Sequence, residues 1–450
     1  MKSFLNSLRE LRRYPSSIAA LIIIAGLFAV AAYAIIKYPY NEAVRLWRGG
    51  EEVWYQNPRN APPLWTNWFS EIKQPVSFAL SSENENDAQK TTFVNDKGNT
   101  ESQIVYTFDY SYDEFPQEII FYFTGDFVDK QPFASIMWTT PDGREIRISD
   151  MGVAAKTTYR FSQDTKLERR VGRIPVMKGL FLDPEFGTEN PVVLKGTYKV
   201  SVDILTFEPD SSASAELVLH GSLHGWAGTD HQRRDLMLPL LWGTPIALAF
   251  GLAASVITGV LTMIIAAIGV WYAGWVDELI QRITEINLVL PFLSILIMVG
   301  TFYSRSIWVI LGVTILLSIF TGAIKGYRAI FLQVKESTYI EAARAYGATN
   351  ARIIFLYLIP RIVPLLIPGL VSAIPAYVFL EASLAVLGLG DPVLPTWGKV
   401  INDAQNNNAL YNGFYYWILE PAVPLMITGL GFAMLGFSLD RIFNPRLRGL

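Results

Sequence analysis

Stretches without a single Asp, Glu, Lys or Arg recur along the chain, over 14–36, 236–276, 286–304, 306–324, 362–380 and 421–439. A hydrocarbon core about 30 Å thick takes roughly 20 helical residues at about 1.5 Å each, so each stretch predicts a transmembrane helix. The second holds 41 residues, enough for one long helix or for two spans. A further uncharged stretch, 404–419, is rich in Asn and aromatic residues and predicts an interfacial loop.

Between the first two spans the pattern changes to period two. Gln103–Tyr110, Glu118–Thr124, Phe133–Thr140, Thr197–Phe207 and Ala215–His220 alternate β-branched or aromatic residues with polar ones, as half-buried strands do. Pro141-Asp142-Gly143 predicts a hairpin turn, because Gly tolerates positive φ and Asp bonds its own backbone. Residues 81–102 are polar with few large apolar side chains and predict an exposed loop. The fold class is thus an α-helical polytopic membrane protein of six spans with an inserted all-β, sandwich-like exterior domain. Its expected parts are 1–37 (N-terminus and first span), 38–235 (exterior domain, β core about 103–220) and 236–450 (five-span core).

Charge orients the spans. Residues 38–235 carry 20 Lys/Arg against 29 Asp/Glu, and the rest carries 17 against 11, so the net charge of -3 hides an acidic insertion and a basic membrane part. With six spans and the N-terminus inside, the cytoplasmic segments collect most Lys and Arg of the membrane part, while the two short outer loops hold only Arg305 and Lys399. A seventh span would place the basic C-terminal tail outside. Both termini are therefore expected in the cytoplasm and 38–235 outside. The overall balance gives no reason to expect nucleic acid as a partner.

Composition narrows the chemistry. The 450 residues are 51% hydrophobic and 17% charged, with no Cys and three His. Thiolate metal sites, Cys nucleophiles and disulfides are excluded. His220, His224 and His231 lie near Asp230 and Asp235, but their spacings do not put three ligands on one helical face, and no metal site is expected. Trp47, Trp54, Trp65 and Trp68 follow the first span and are expected at the membrane interface or in a small core. Glu381 ends an uncharged window, where an ionisable group lines a pathway or pairs within the bundle. Pro364, Pro368 and Pro375 interrupt the fifth span, and a kinked helix can line a cavity. These four are the candidate pathway residues.

After the fourth span, about 325–360, the run Lys335-Glu336-Ser337-Thr338-Tyr339-Ile340-Glu341-Ala342-Ala343-Arg344-Ala345-Tyr346-Gly347-Ala348-Thr349 predicts two short helices and a turn. Gly347 suits the left-handed position that ends the first helix, and Thr349 the cap of the second. Ala342, Ala343 and Ala345 give this knob a narrow profile.

The run resembles the EAA loop of permeases of binding-protein-dependent ABC importers: Glu341-Ala342-Ala343, then Gly347 at the matching spacing, then Leu358-Ile359-Pro360. Gly228-Thr229-Asp230 to Asp235 resembles the GTDxxGRD of the dipeptide/oligopeptide branch, with Arg233 in place of a Gly. Ala273-Gly274-Trp275-Val276-Asp277-Glu278 resembles its GGWxDE. Glu381-Ala382-Ser383-Leu384, Pro395-Thr396-Trp397-Gly398 and Asn444-Pro445-Arg446 continue the likeness, which covers about 1–37 and 220–450 and leaves the insertion unexplained.

The resemblance implies a permease in a prokaryotic inner (plasma) membrane, carrying peptides or similar small solutes. Its implied partners are a second homologous permease, two cytoplasmic ATPase subunits holding ATP and magnesium, and an external solute-binding protein. Glu341, Ala342, Ala343, Arg344 and Gly347 are the implied ATPase-coupling residues. No G-x-x-x-x-G-K-[ST] occurs in the chain, so no catalytic residue and no cofactor of its own is expected. The rival class is a membrane-anchored β-domain receptor or adhesion protein. An anchor has no need of a shaped coupling knob or of six spans.

Overall fold

The computed structural model describes residues 15–94, 99–187 and 191–443. The basic N-terminus and Asn444-Pro445-Arg446 lie outside them. The chain forms two compact units, Met1–Arg48 with Leu238–Leu450, and Gly49–Met237.

In the first unit, α1 (Pro15–Lys37) leads into α2 (Tyr40–Val53), an amphipathic helix interrupted at Gly50, where φ is 49°. Residues 38–48, expected with the exterior domain, group with the membrane unit, and Ala43 and Trp47 among them are buried. Met237–Tyr272 forms one uninterrupted 36-residue helix, α5, so the 41-residue window is not divided into two spans. Next come α6 (Gly274–Val289), α7 (Phe292–Phe302), α8 (Ile307–Ile319), α9 (Gly322–Lys335) and α10 (Thr338–Ala345). The last elements are α11 (Ile359–Leu384), α12 (Trp397–Asn406) and α13 (Tyr416–Phe443).

Among the described residues four helical stretches are long and apolar enough to cross a membrane, or up to six if each bent pair, α6–α7 (77°) and α8–α9 (46°), is one span. Both bends have a local cause. Pro291 stops α6 by depriving the next turn of a donor. At the second bend, Asn287 Nδ2 donates to the carbonyls of Leu317 and Phe320, both at 2.8 Å, and so meets acceptors left open where α8 ends. Glycines let the long helices approach closely. A Cβ on Gly251 would meet Val378 at 2.6 Å, and one on Gly436 would collide with Ser372.

Among its described residues the second unit holds nine strands: β1 (Phe78–Ser81), β2 (Ala88–Val94), β3 (Thr100–Tyr110), β4 (Glu118–Asp126), β5 (Phe133–Thr139), β6 (Glu145–Gly152), β7 (Thr157–Arg160), β8 (Gly196–Thr206) and β9 (Ser212–His220). Short helices α3 (Thr165–Arg170) and α4 (Val176–Phe181) lie between β7 and β8. Two antiparallel sheets, β1-β9-β4-β7 and β2-β3-β8-β5-β6, enclose a core that includes Tyr106, Phe121, Trp138, Phe161 and Tyr198. The core follows from alternation: in β8, Tyr198, Val200, Val202 and Ile204 are buried while the residues between them are not. Its phenols find acceptors, Tyr106 on the Ala215 carbonyl and Tyr198 on that of Leu194, both at 2.6 Å. The predicted turn is present, with Gly143 at φ 85° and its N–H on the Thr140 carbonyl at 2.9 Å.

Two expectations are corrected. Residues 81–102 are not all loop, since β2 lies within them, and the sheets begin at Phe78, well before 103. After Ala88 every residue of β2 is exposed, so the strand is held by its backbone ladder to β3 and shows no apolar alternation. The tryptophans are also divided. Trp47 is buried, whereas Trp68 is 70% exposed and meets the exposed Trp226 edge to face.

Candidate coupling site

Helix α10 sits between two helix ends. Ile340 and Ala343, three residues apart and so on one face, are buried, while Glu341, Ala342, Arg344, Ala345 and Tyr346 are exposed. Ile340 enters a core shared with Trp271, Phe331, Ile353, Ile354 and Leu358. Of the two adjacent alanines, only Ala342 is outward. Ala343 instead lets the helix lie close on that core.

The end of α10 is a complete Schellman motif. The Gly347 N–H donates to the Arg344 carbonyl at 2.9 Å, the Ala348 N–H to the Ala343 carbonyl at 3.0 Å, and Gly347 carries φ +76°. No heavy atom lies within 4 Å of where its Cβ would be, so the glycine answers to backbone conformation and not to space. Thr349 caps the following turn, its Oγ1 accepting from the Arg352 N–H at 3.4 Å. The chain then widens into a π-helical turn, Ile353–Leu358, before α11.

Cations hold α10 against the end of α5. The guanidinium carbon of Arg344 lies 4.4 Å from the centroid of the Trp271 ring, and Lys335 Nζ lies 5.9 Å from the same centroid. Lys335 Nζ also donates to the Val270 carbonyl at 2.7 Å, a favourable place for a cation at a helix C-terminus. Nearby, Arg328 makes a forked pair with Asp277, Nη2 to Oδ2 at 2.6 Å, tying α9 to α6. This gives Asp277, so far only a motif position, a definite task. Trp271, Lys335 and Asn287 carry no local sequence signal of these contacts, because each partner lies far along the chain or on another helix.

The pathway candidates share α11 but not one face. Pro364, Pro368 and Pro375 are spaced by four and seven, which puts them on one stripe. Glu381 lies six residues further, roughly 120° round the helix. It is buried. Pro368 is buried, Pro375 half-buried and Pro364 exposed. Between the last two prolines, Ser255 of α5 donates to the Leu370 carbonyl at 2.6 Å.

Two positions where the resembled motifs carry glycine are occupied otherwise, and both keep a left-handed backbone. Arg233 has φ 64° and Ala273 has φ 55°. The turn before α5 survives without glycine because Asp230 Oδ1 accepts from the N–H groups of Gln232 and Arg234, at 2.8 and 2.9 Å, and Arg233 Nη1 reaches the Asn57 carbonyl at 2.5 Å. Of the three histidines, His220 and His224 are held neutral, their pKa pushed down to about 4 chiefly by burial. Among the described residues no group of three or more His, Asp or Glu could hold a metal ion.

Residues 259–449, which contain the whole of this arrangement from the end of α5 onward, match the family model described as binding-protein-dependent transport system inner membrane component. This segment is similar to the membrane components of such transport systems. The chain is also similar to curated permease proteins. The chain is 32% identical over 183 residues to the peptidoglycan transport system permease protein YejE of Agrobacterium fabrum, covering 40% of this chain and 48% of that one. It is 27% identical over 226 residues to the glutathione transport system permease protein GsiD of Pectobacterium atrosepticum, covering 50% and 73%. To the dipeptide transport system permease protein DppC of Bacillus subtilis it is 28% identical over 224 residues, covering 50% and 69%. The chain thus spans about half the length of the first of these, and none of the three matches extends over more than half of this chain.

Proposed function

We propose that the chain is the permease subunit of an ATP-driven importer and forms half of a translocation pathway for peptides or peptide-bearing solutes. Its counterparts in this reading are a second homologous permease, two cytoplasmic ATPase subunits that hold ATP and magnesium, and an external solute-binding protein. Both termini and α10 face the cytoplasm in a prokaryotic inner membrane, and the β unit faces outward, where it docks or shields the binding protein. Glu381 and the prolines of α11 border the pathway. The solute class rests on the names of the relatives, each of which refers to a peptide-containing substrate.

The observation that carries the reading is α10 itself. Its buried face is seated on the permease core, its end is fixed by the Gly347 cap, and it presents Glu341, Ala342 and Arg344 outward. A short helix held in this way moves as a unit and offers its backbone to a groove on an ATPase subunit. The test is binding-protein-stimulated ATP hydrolysis in the reconstituted complex. Gly347→Val, which forces a β-branched residue into a left-handed conformation at about 1–2 kcal/mol, and Glu341→Lys are expected to lose stimulation or assembly. Arg305→Ala in the α7–α8 connection should lose neither. Full transport by Gly347→Val would remove α10 from the coupling. Orientation is tested in this Cys-free chain by single cysteines at exposed Lys130 and Asn350. An impermeant thiol reagent should label the first in intact cells and spare the second.

A further inference from the structure

We propose that Trp271 is the positioning residue through which movement of α10 enters the membrane, and that the helix receiving it is α5. The direct continuation of the chain into α11 is, on this proposal, the compliant joint. The proposal rests on the coupling role given to α10 above.

Of the connections that leave α10, the covalent continuation towards α11 and the clamp on α5 differ in stiffness. The covalent one passes through Gly347 at φ +76°, the Thr349 cap and the π-helical turn Ile353–Leu358 before α11 begins. A π turn is wider and less regularly bonded than an α turn, and such turns are found where a helix must yield. The non-covalent connection has no such element. Arg344 of α10 and Lys335, just before α10, both lie over the indole of Trp271, and Lys335 also grips the Val270 carbonyl at 2.7 Å. Trp271 is only 8% exposed, and Ile340 fills the same core beneath it, so the ring cannot slide without breaking apolar packing.

The clamp closes on the last turn of α5, whose 36 residues extend for about 54 Å at the α-helical rise. A displacement taken up at that end is therefore carried along α5 as far as Pro245, near its other end, whereas a displacement sent into α11 is first absorbed by the π turn. An indole face serves this purpose better than an ion pair would. It attracts a cation over a range of positions, so Arg344 can stay engaged while α10 tilts.

The experiment uses the full complex of this chain with its ATPases and binding protein in liposomes. Retention of the ATPase subunits, basal ATP hydrolysis and binding-protein-stimulated hydrolysis are measured for Trp271→Leu, Trp271→Phe, Lys335→Met and Lys335→Arg. Trp271→Leu and Lys335→Met are expected to keep assembly and basal hydrolysis and to lose about five- to tenfold of the stimulation, the scale of one or two cation–π contacts. Trp271→Phe and Lys335→Arg should restore most of it, since they keep a ring face and a cation. Wild-type stimulation in Trp271→Leu overturns the proposal, as does a Phe variant no better than Leu. Loss of assembly in Trp271→Leu together with full stimulation in Lys335→Met also overturns it, by reducing Trp271 to structural support. Failure of the underlying coupling role would look different: Gly347→Val and Glu341→Lys would then assemble and respond normally.

Discussion

Asp230 and Arg234 are joined where neither meets solvent, with Arg234 Nε donating to Asp230 Oδ2 at 2.5 Å and the two side chains only 1% and 6% exposed. The same carboxylate holds two backbone N–H groups of the turn that leads into α5. Removing this carboxylate takes a charged partner from a buried guanidinium and the acceptor from both turn N–H groups, at about 3–5 kcal/mol. Asp230→Ala is therefore expected to make the β unit markedly more sensitive to protease and heat in the full-length protein. Arg59→Ala, which breaks the exposed Glu51–Arg59 pair, should cost under about 1 kcal/mol. Equal protease resistance of the two variants would contradict this weighting.

Ala273 begins α6 at φ 55° and ψ -162°, a region suited to glycine. Ala273→Gly relieves that strain, offset in part by the freedom glycine brings to the unfolded chain, and is expected to stabilise by about 1 kcal/mol. Arg233→Gly has the same backbone benefit but loses the bond to the Asn57 carbonyl, so its gain should be smaller or absent. Thermal unfolding in detergent measures both. A lower transition for Ala273→Gly would show that the left-handed alanine is not strained.

Asn287 supplies one side chain to two carbonyls at the α8–α9 bend. Asn287→Leu leaves both to find other donors within the bilayer, where unpaired backbone groups cost several kcal/mol. Lower yield of folded protein and faster cleavage near Phe320 are expected. Asn287→Gln, which keeps the amide, should be the milder variant, and identical yields for the two would argue that water or lipid headgroups already serve this bend.

His220 and His224 give the β unit a pH dependence of definite sign. Their folded pKa of about 4 lies below the unfolded value near 6.5, so between these limits the unfolded chain binds more protons. Stability attached to the neutral rings is complete above about pH 6.5 and is lost as pH falls towards 4, by a few kcal/mol in total. Unfolding of the protein followed from pH 7.5 to 4 should show the loss. The double variant His220→Gln and His224→Gln should flatten the curve, and an unchanged slope would assign it to other groups.

What can be read from the sequence is what local chemistry decides. Gly347 is legible because a helix end needs a left-handed residue there, and Thr349 because its hydroxyl caps the next turn. The strands with one buried face are legible from alternation. β2 is not, since after Ala88 its side chains are exposed on both faces and its ladder to β3, with the Thr92–Ser102 hydroxyl pair, defines it. The Arg344 contact with Trp271 is hidden for a different reason. Glu341, at i, i+3, is the only partner that spacing suggests for Arg344, and the ring it meets belongs to a helix far back in the chain. The bends are half visible: Pro291 marks the first, but nothing in the order of residues says that Asn287 will hold the second.

The turn before α5 also lies beside the segment by which the chain enters the β unit. Arg233 bonds the Asn57 carbonyl, the Asn60 N–H reaches the Asp230 carbonyl at 3.1 Å, and the Ala61 N–H reaches Thr229 Oγ1 at 2.9 Å. Entry and exit are thus laced together like the neck of a bag, and the chain between them, residues 62–228, is a closed loop. A loop closed at its neck can lengthen or shorten at little entropic cost to the helices that bear it. The size of the β unit is in that sense a free variable, set by its own sheets and core and not by the order of the helices that precede and follow it.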